Sequence, residues 1–174
     1  MRIRSISGPS IALIAFCLLA AAVTTASAAT STPGLRATTP SYTFKLVIGA
    51  PAQMWTRAQV EATHPETGEL PLMGSMPGIS MSGSQRHLEV HVYSRSTGKP
   101  VAGAHPTITV TDITAKNAKP TQIPVAEMER VAMGEADAAD LHYGNNVTLT
   151  PGHHYKVTVT LSGQQAILEA MAAT

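Results

Sequence analysis

Residues 86–92 read Arg86-His87-Leu88-Glu89-Val90-His91-Val92. Apolar and polar side chains alternate here with the period of a β-strand, whose successive side chains point to opposite faces. Leu88, Val90 and Val92 then share the face that belongs in a core, and His87, Glu89 and His91 share the other. Outward from this stretch the same rhythm recurs in short runs: Tyr42 to Ile48, Thr107 to Thr114, Val147 to Thr150 and Tyr155 to Leu161. Ala166 to Ala170 reads as a last strand or a frayed helix. Turn residues divide these runs, at Gly49-Ala50-Pro51, Ser96 to Pro100, Pro151-Gly152 and Gly163.

Met54 to Ala62 suits one or two helical turns anchored by Trp55, and Val125 to Met133 is open between strand and helix. Short strands without long intervening helices predict an all-β antiparallel sandwich. An immunoglobulin-like arrangement is expected, without the cysteine pair of antibody domains. Residues 63–84 hold Pro65, Gly68, Pro71, Met73, Gly74, Met76, Pro77, Gly78, Met81 and Gly83. That density of breakers predicts a long Met/Gly/Pro-rich loop with no regular element.

The first 29 residues look like a cleaved signal peptide. Arg2 and Arg4 precede an apolar run from Ile11 to Val23, and Ala26-Ser27-Ala28 supplies small residues for cleavage. The run is shorter than the ~20 apolar residues of a membrane span, and a periplasmic or secreted protein is expected. Phe16 stands where a lipobox carries a small residue, which argues against acylation at Cys17. Residues 30–40 read as a flexible Thr/Ser/Pro-rich linker, and 41–174 as one domain.

Cleavage would remove Cys17, the only cysteine, so the remaining chain has neither disulfides nor thiolate chemistry. Loss of Arg2 and Arg4 would leave ten basic residues against eleven acidic ones. A near-neutral chain with few aromatics does not suit nucleic-acid binding. No Gly-x-Ser-x-Gly elbow, His-Glu-x-x-His helix or phosphate loop is present, so no enzymatic activity is expected.

Metal chemistry would have to use His, Met, Asp and Glu. A face carrying His87, Glu89 and His91 is a credible half of such a site, although three alternating polar residues also describe any half-exposed strand. His142, in Leu141-His142-Tyr143-Gly144-Asn145-Asn146-Val147, sits where a loop is expected to meet a strand. Met133 precedes it by way of the acids Glu135, Asp137 and Asp140. Met73, Met76 and Met81 are thioether candidates for copper, or packing residues of their loop. His64 and His105, each followed by proline, and the His153-His154 pair look like loop and turn residues.

The His87-Leu88-Glu89-Val90-His91-Val92 strand, Thr97-Gly98-Lys99-Pro100-Val101-Ala102-Gly103-Ala104, His142-Tyr143-Gly144-Asn145-Asn146-Val147 and the closing Gly152-x-x-Tyr155-x-Val157-x-Val159 strand resemble the periplasmic iron-transport accessory proteins. The resemblance spans roughly Ser84 to Leu161. It implies an immunoglobulin-like domain that works beside a high-affinity iron permease and binds copper, with iron at or near the same site. It implies His87, Glu89 and His142 as ligands, with Met133 nearest the family's methionine and His91 or His154 in place of a later histidine. Pairing as a homodimer is also implied. Ala138-Ala139-Asp140-Leu141 replaces the family's Ser-Asp-Gly-Pro. Two rival functions are a metal-free interaction module and a methionine-based copper buffer or delivery protein.

Overall fold

The structure, a computed structural model, describes residues 35–72 and 85–173. Two antiparallel sheets form the all-β sandwich expected from the alternation. Six strands make the first: β1 (Arg36–Thr38), β2 (Tyr42–Gly49), β3 (Thr67–Pro71), β4 (Gln85–Ser94), β7 (Ala126–Ala132) and β8 (Glu135–Thr148), in the spatial order β1-β2-β4-β8-β7-β3. The second has β5 (Thr107–Asp112), β6 (Thr121–Gln122), β9 (His154–Leu161) and β10 (Gln164–Met171), in the order β10-β9-β5-β6.

The core lies between them, where alternate residues of each strand meet. Phe44 and Leu46 of β2 and Leu88, Val90 and Val92 of β4 face Ile108, Val157, Val159 and Leu168 from the opposite sheet, all buried. Removal of such side chains from water, at roughly 1.5–3 kcal/mol each, is the main force holding the sheets together. Tyr143 of β8 joins this core and pins the 101–104 turn, donating its hydroxyl to the Val101 carbonyl (2.6 Å) and accepting from the Ala104 N–H (3.0 Å).

A smaller cluster gathers at the β3–β7 edge of the first sheet. The helix α1 (Arg57–Thr63) packs Val60 against Leu70 of β3 and Val131 of β7, with Trp55 and Leu72 beside them. Thr56 and Gln59 close a capping box at its start. Among the described residues no helix is long and apolar enough to cross a membrane.

Three expectations are corrected and one left open is decided. Arg36–Thr38 of the anticipated linker pairs with β2, adding an edge strand. Thr67–Pro71, inside the anticipated loop, is a strand paired along its whole length to β7. Its breakers are tolerated because β3 is an edge strand: Pro71 closes it, and Gly68 takes a φ of 144° with the Trp55 indole against its Cα. The ambiguous 125–133 segment is strand β7. The acidic stretch before His142 is part of β8, with Met133 and Gly134, both at positive φ, forming the hairpin tip. The signal segment and Met73, Met76 and Met81 lie outside the described residues.

One irregularity matters for function. Pairing of β7 with β8 jumps from Glu129↔Leu141 to Arg130↔Asp137. Residues 138–140 are therefore extra on β8, a bulge stabilised by Asp137 accepting the Ala139 N–H at 2.9 Å.

Candidate metal centre

The polar face of β4 is not a solvated face. His87 is 1% exposed and His91 3%, so both faces of this strand are buried. β8 pairs with β4 in a register that sets Asn146 opposite His87. The Asn146 side chain bonds Ala52 at both ends, its Oδ1 accepting the Ala52 N–H (3.1 Å) and its Nδ2 donating to the Ala52 carbonyl (2.8 Å). That fixes the amide's orientation. His87 Nδ1, 3.1 Å from the same Oδ1, must then be the donor, which leaves His87 Nε2 as a bare lone pair.

His142 is held the same way. Its Nδ1 lies 2.9 Å from the Asp140 carbonyl, which can only accept, so its Nε2 is also unprotonated when the ring is neutral. The two Nε2 atoms face each other at 3.4 Å across rings set edge to face. Two lone pairs cannot bond each other; the geometry calls for a cation or a proton between them. Carbonyl or amide support at Nδ1 with Nε2 presented is how metal-binding imidazoles are commonly oriented.

Glu69 of β3 closes the arrangement. Its Oε2 is 3.5 Å from His142 Nε2 and its Oε1 4.0 Å from His87 Nε2. The residue is 5% exposed, and Oε2 is buried with no hydrogen-bond partner. Glu69, His87 and His142 thus offer three donor atoms within 4.8 Å of one another, all buried. Two imidazoles and one carboxylate suit Cu2+, Zn2+ or Fe2+.

Burial sets the protonation. Desolvation, reinforced by the Glu89 and Asp140 carboxylates, pushes the Glu69 carboxyl up to about 8. Desolvation lowers His87 to about 4 and lowers His142 as well. Near neutral pH the metal-free centre therefore holds neutral imidazoles beside a protonated carboxyl. Its stability should depend on pH in an unusual sense.

Glu69 gives up its proton near 4.5 when unfolded but only near 8 when folded, so folding becomes less favourable as pH rises across that interval. The histidines act oppositely below their unfolded value of 6.5, where the unfolded chain takes up protons first. From about pH 6.5 to 8 only the Glu69 effect among these groups remains. Metal-free protein should lose stability steadily over that range in urea titrations followed by Trp55 fluorescence. Glu69→Gln should flatten the slope; a slope unchanged in that variant would contradict the assignment.

The remaining sequence candidates fall in three places. His91 and Glu89 adjoin the centre: His91 Nε2 is 3.3 Å from Glu89 Oε2, and its ring lies 5.4 Å from that of His142. Burial alone would raise Glu89, yet the bond from His91 and the neighbouring imidazoles hold it below the usual carboxylate range. Met133 is not brought to the site; at the tip of the β7–β8 hairpin it is 91% exposed. His154 is exposed at the start of β9 in the other sheet. Glu69 escapes sequence reasoning because it sits among breakers, with no local pattern to mark its carboxylate as inward-facing.

No protein-family model matches this chain, and neither the curated proteins nor the solved structures provide a match.

Proposed function

We propose that this protein is an exported metal-binding domain that takes up copper, ferrous iron or both and assists iron uptake across the envelope. The observation that carries the reading is the pair of bare Nε2 atoms facing an unpartnered, buried Glu69 oxygen. A buried carboxyl oxygen left without a partner beside two imidazoles costs stability unless a ligand completes it. Their near-complete burial favours holding an ion over turning over a substrate.

The resemblance of the His87-x-Glu89 strand and the His142-Tyr143-Gly144-Asn145-Asn146 strand to iron-transport accessory proteins supplies the biological setting. It supports an immunoglobulin-like reading of the sandwich, a periplasmic or secreted location, and a membrane iron permease as partner, with pairing into a homodimer. The donor set differs from the one the resemblance implies: Glu69 joins His87 and His142, Glu89 turns to His91, and Met133 lies exposed at a hairpin tip.

Untagged protein titrated with Cu2+, and with Mn2+ as an iron surrogate, should take up one tightly bound Cu2+ per chain. His87→Ala should lower the Cu2+ affinity at least tenfold, with the circular dichroism of the sandwich retained. No metal uptake near neutral pH would overturn the proposal and leave an interaction module. Copper uptake indifferent to His87 but lost with Met73, Met76 and Met81 would transfer the function to those methionines.

A further inference from the structure

His91 raises a second question, because its two ring nitrogens have different surroundings. His91 Nε2 donates to the Glu89 carboxylate, 3.3 Å from its Oε2. With Nε2 carrying a proton, Nδ1 is a lone pair in the neutral ring. That Nδ1 is buried and has no hydrogen-bond partner. It points toward Asp140, whose Oδ1 lies 3.5 Å away without a hydrogen bond between them. A carboxylate–imidazole pair with the far nitrogen bare is the usual support of a metal-ligating histidine.

Asp140 reaches this position only because of the bulge at residues 138–140. Its side chain is 27% exposed, against 7% for Glu69, so it opens toward solvent from the buried centre. Arg130 Nη1, 3.6 Å from Asp140 Oδ2, balances part of the acidic charge from a well-exposed position. A nitrogen of His142 lies within 4.8 Å of both the His91 and Asp140 donors, so the two clusters share this imidazole.

We propose that His91 Nδ1 and the Asp140 carboxylate form an outer position for a borderline divalent cation, overlapping the inner Glu69/His87/His142 position at His142. The inference rests on the metal-binding reading above. One ion occupies one position or the other. With two imidazoles and a buried carboxylate the inner position holds it more tightly, and the outer position takes it when the inner one is lost.

The test is a double-mutant cycle with Cu2+ on the untagged protein. Asp140→Asn is nearly isosteric and leaves the Asp140 carbonyl, which holds His142, in place. In the wild-type background this change should alter Cu2+ affinity by less than about threefold. In the His87→Ala background, residual Cu2+ binding should persist, and Asp140→Asn should weaken it a further tenfold or more. His91→Gln in the same background should reproduce that loss.

If Asp140→Asn and His91→Gln have no effect in the His87→Ala background, the outer position does not exist, while the inner one stands. If both backgrounds respond equally, Asp140 belongs to a single site and the overlapping positions are wrong. A wild-type protein that takes up no Cu2+ would overturn this inference together with the proposed function.

Discussion

Gly144→Ala should prevent stable folding, or lower stability by at least about 3 kcal/mol, a fall of roughly 10 °C in Tm for a domain of this size. Gly144 lies in the middle of β8, paired with Glu89 on β4 and Ala126 on β7. A Cβ there would be driven into the Leu88 carbonyl, with that carbonyl carbon 2.9 Å and the Glu89 Cα 3.4 Å away. The obstruction is backbone, which cannot rotate aside as a long side chain can. Relief would require parting β4 from β8, the two strands that carry His87, His91 and His142. Thermal unfolding followed by circular dichroism measures the effect, and a shift below about 3 °C would show that the sheet absorbs a methyl group where none fits.

The second large effect is on binding. His142→Ala should reduce Cu2+ affinity by roughly 100-fold or more, and by more than His87→Ala does. Changes to groups that merely orient a ligand commonly cost roughly 10–100-fold, so loss of a direct donor should exceed that. His142 belongs to both donor clusters, whereas His87 belongs to one. Calorimetric titration of the two variants side by side decides the matter. An equal or smaller loss in His142→Ala would mean that this imidazole is not shared. The metal-free variant should remain folded, since the change removes one of two opposed lone pairs along with its ring.

Both predictions concern one pair of strands, and much of that pair is legible in the amino-acid order. The alternation from His87 to Val92 assigns Leu88, Val90 and Val92 to the core, where all three are buried. Tyr42–Ile48, Thr107–Thr114 and Tyr155–Leu161 stand out for the same reason: a side-chain period of two is a local property, carried by each strand alone. The short helix α1 overlaps the Met54–Ala62 segment expected to form helical turns, with Trp55 beside it.

Elements lacking such a signal are misread from sequence. β3 contains a glycine and a proline in five residues, and becomes a strand only because β7 lies alongside to pair with it. The acids from Glu135 to Asp140 resemble a solvated loop until the bulge places three of those residues outside the β7 ladder. Met133 is close to His142 along the chain, yet a hairpin tip carries it away into solvent.

The amino-acid order by itself determined the all-β architecture, the inward face of each regular strand and the presence of histidines on β4 and β8. Those follow from alternation and turn chemistry, which act between residues close in sequence. Tertiary structure decided which acids the histidines meet. Glu69 and His87 are far apart in sequence, and no periodicity relates them; only the order β4-β8-β7-β3 brings them together. The same long-range packing removed the water that would have solvated His87, His91 and His142, leaving lone pairs that a cation can satisfy.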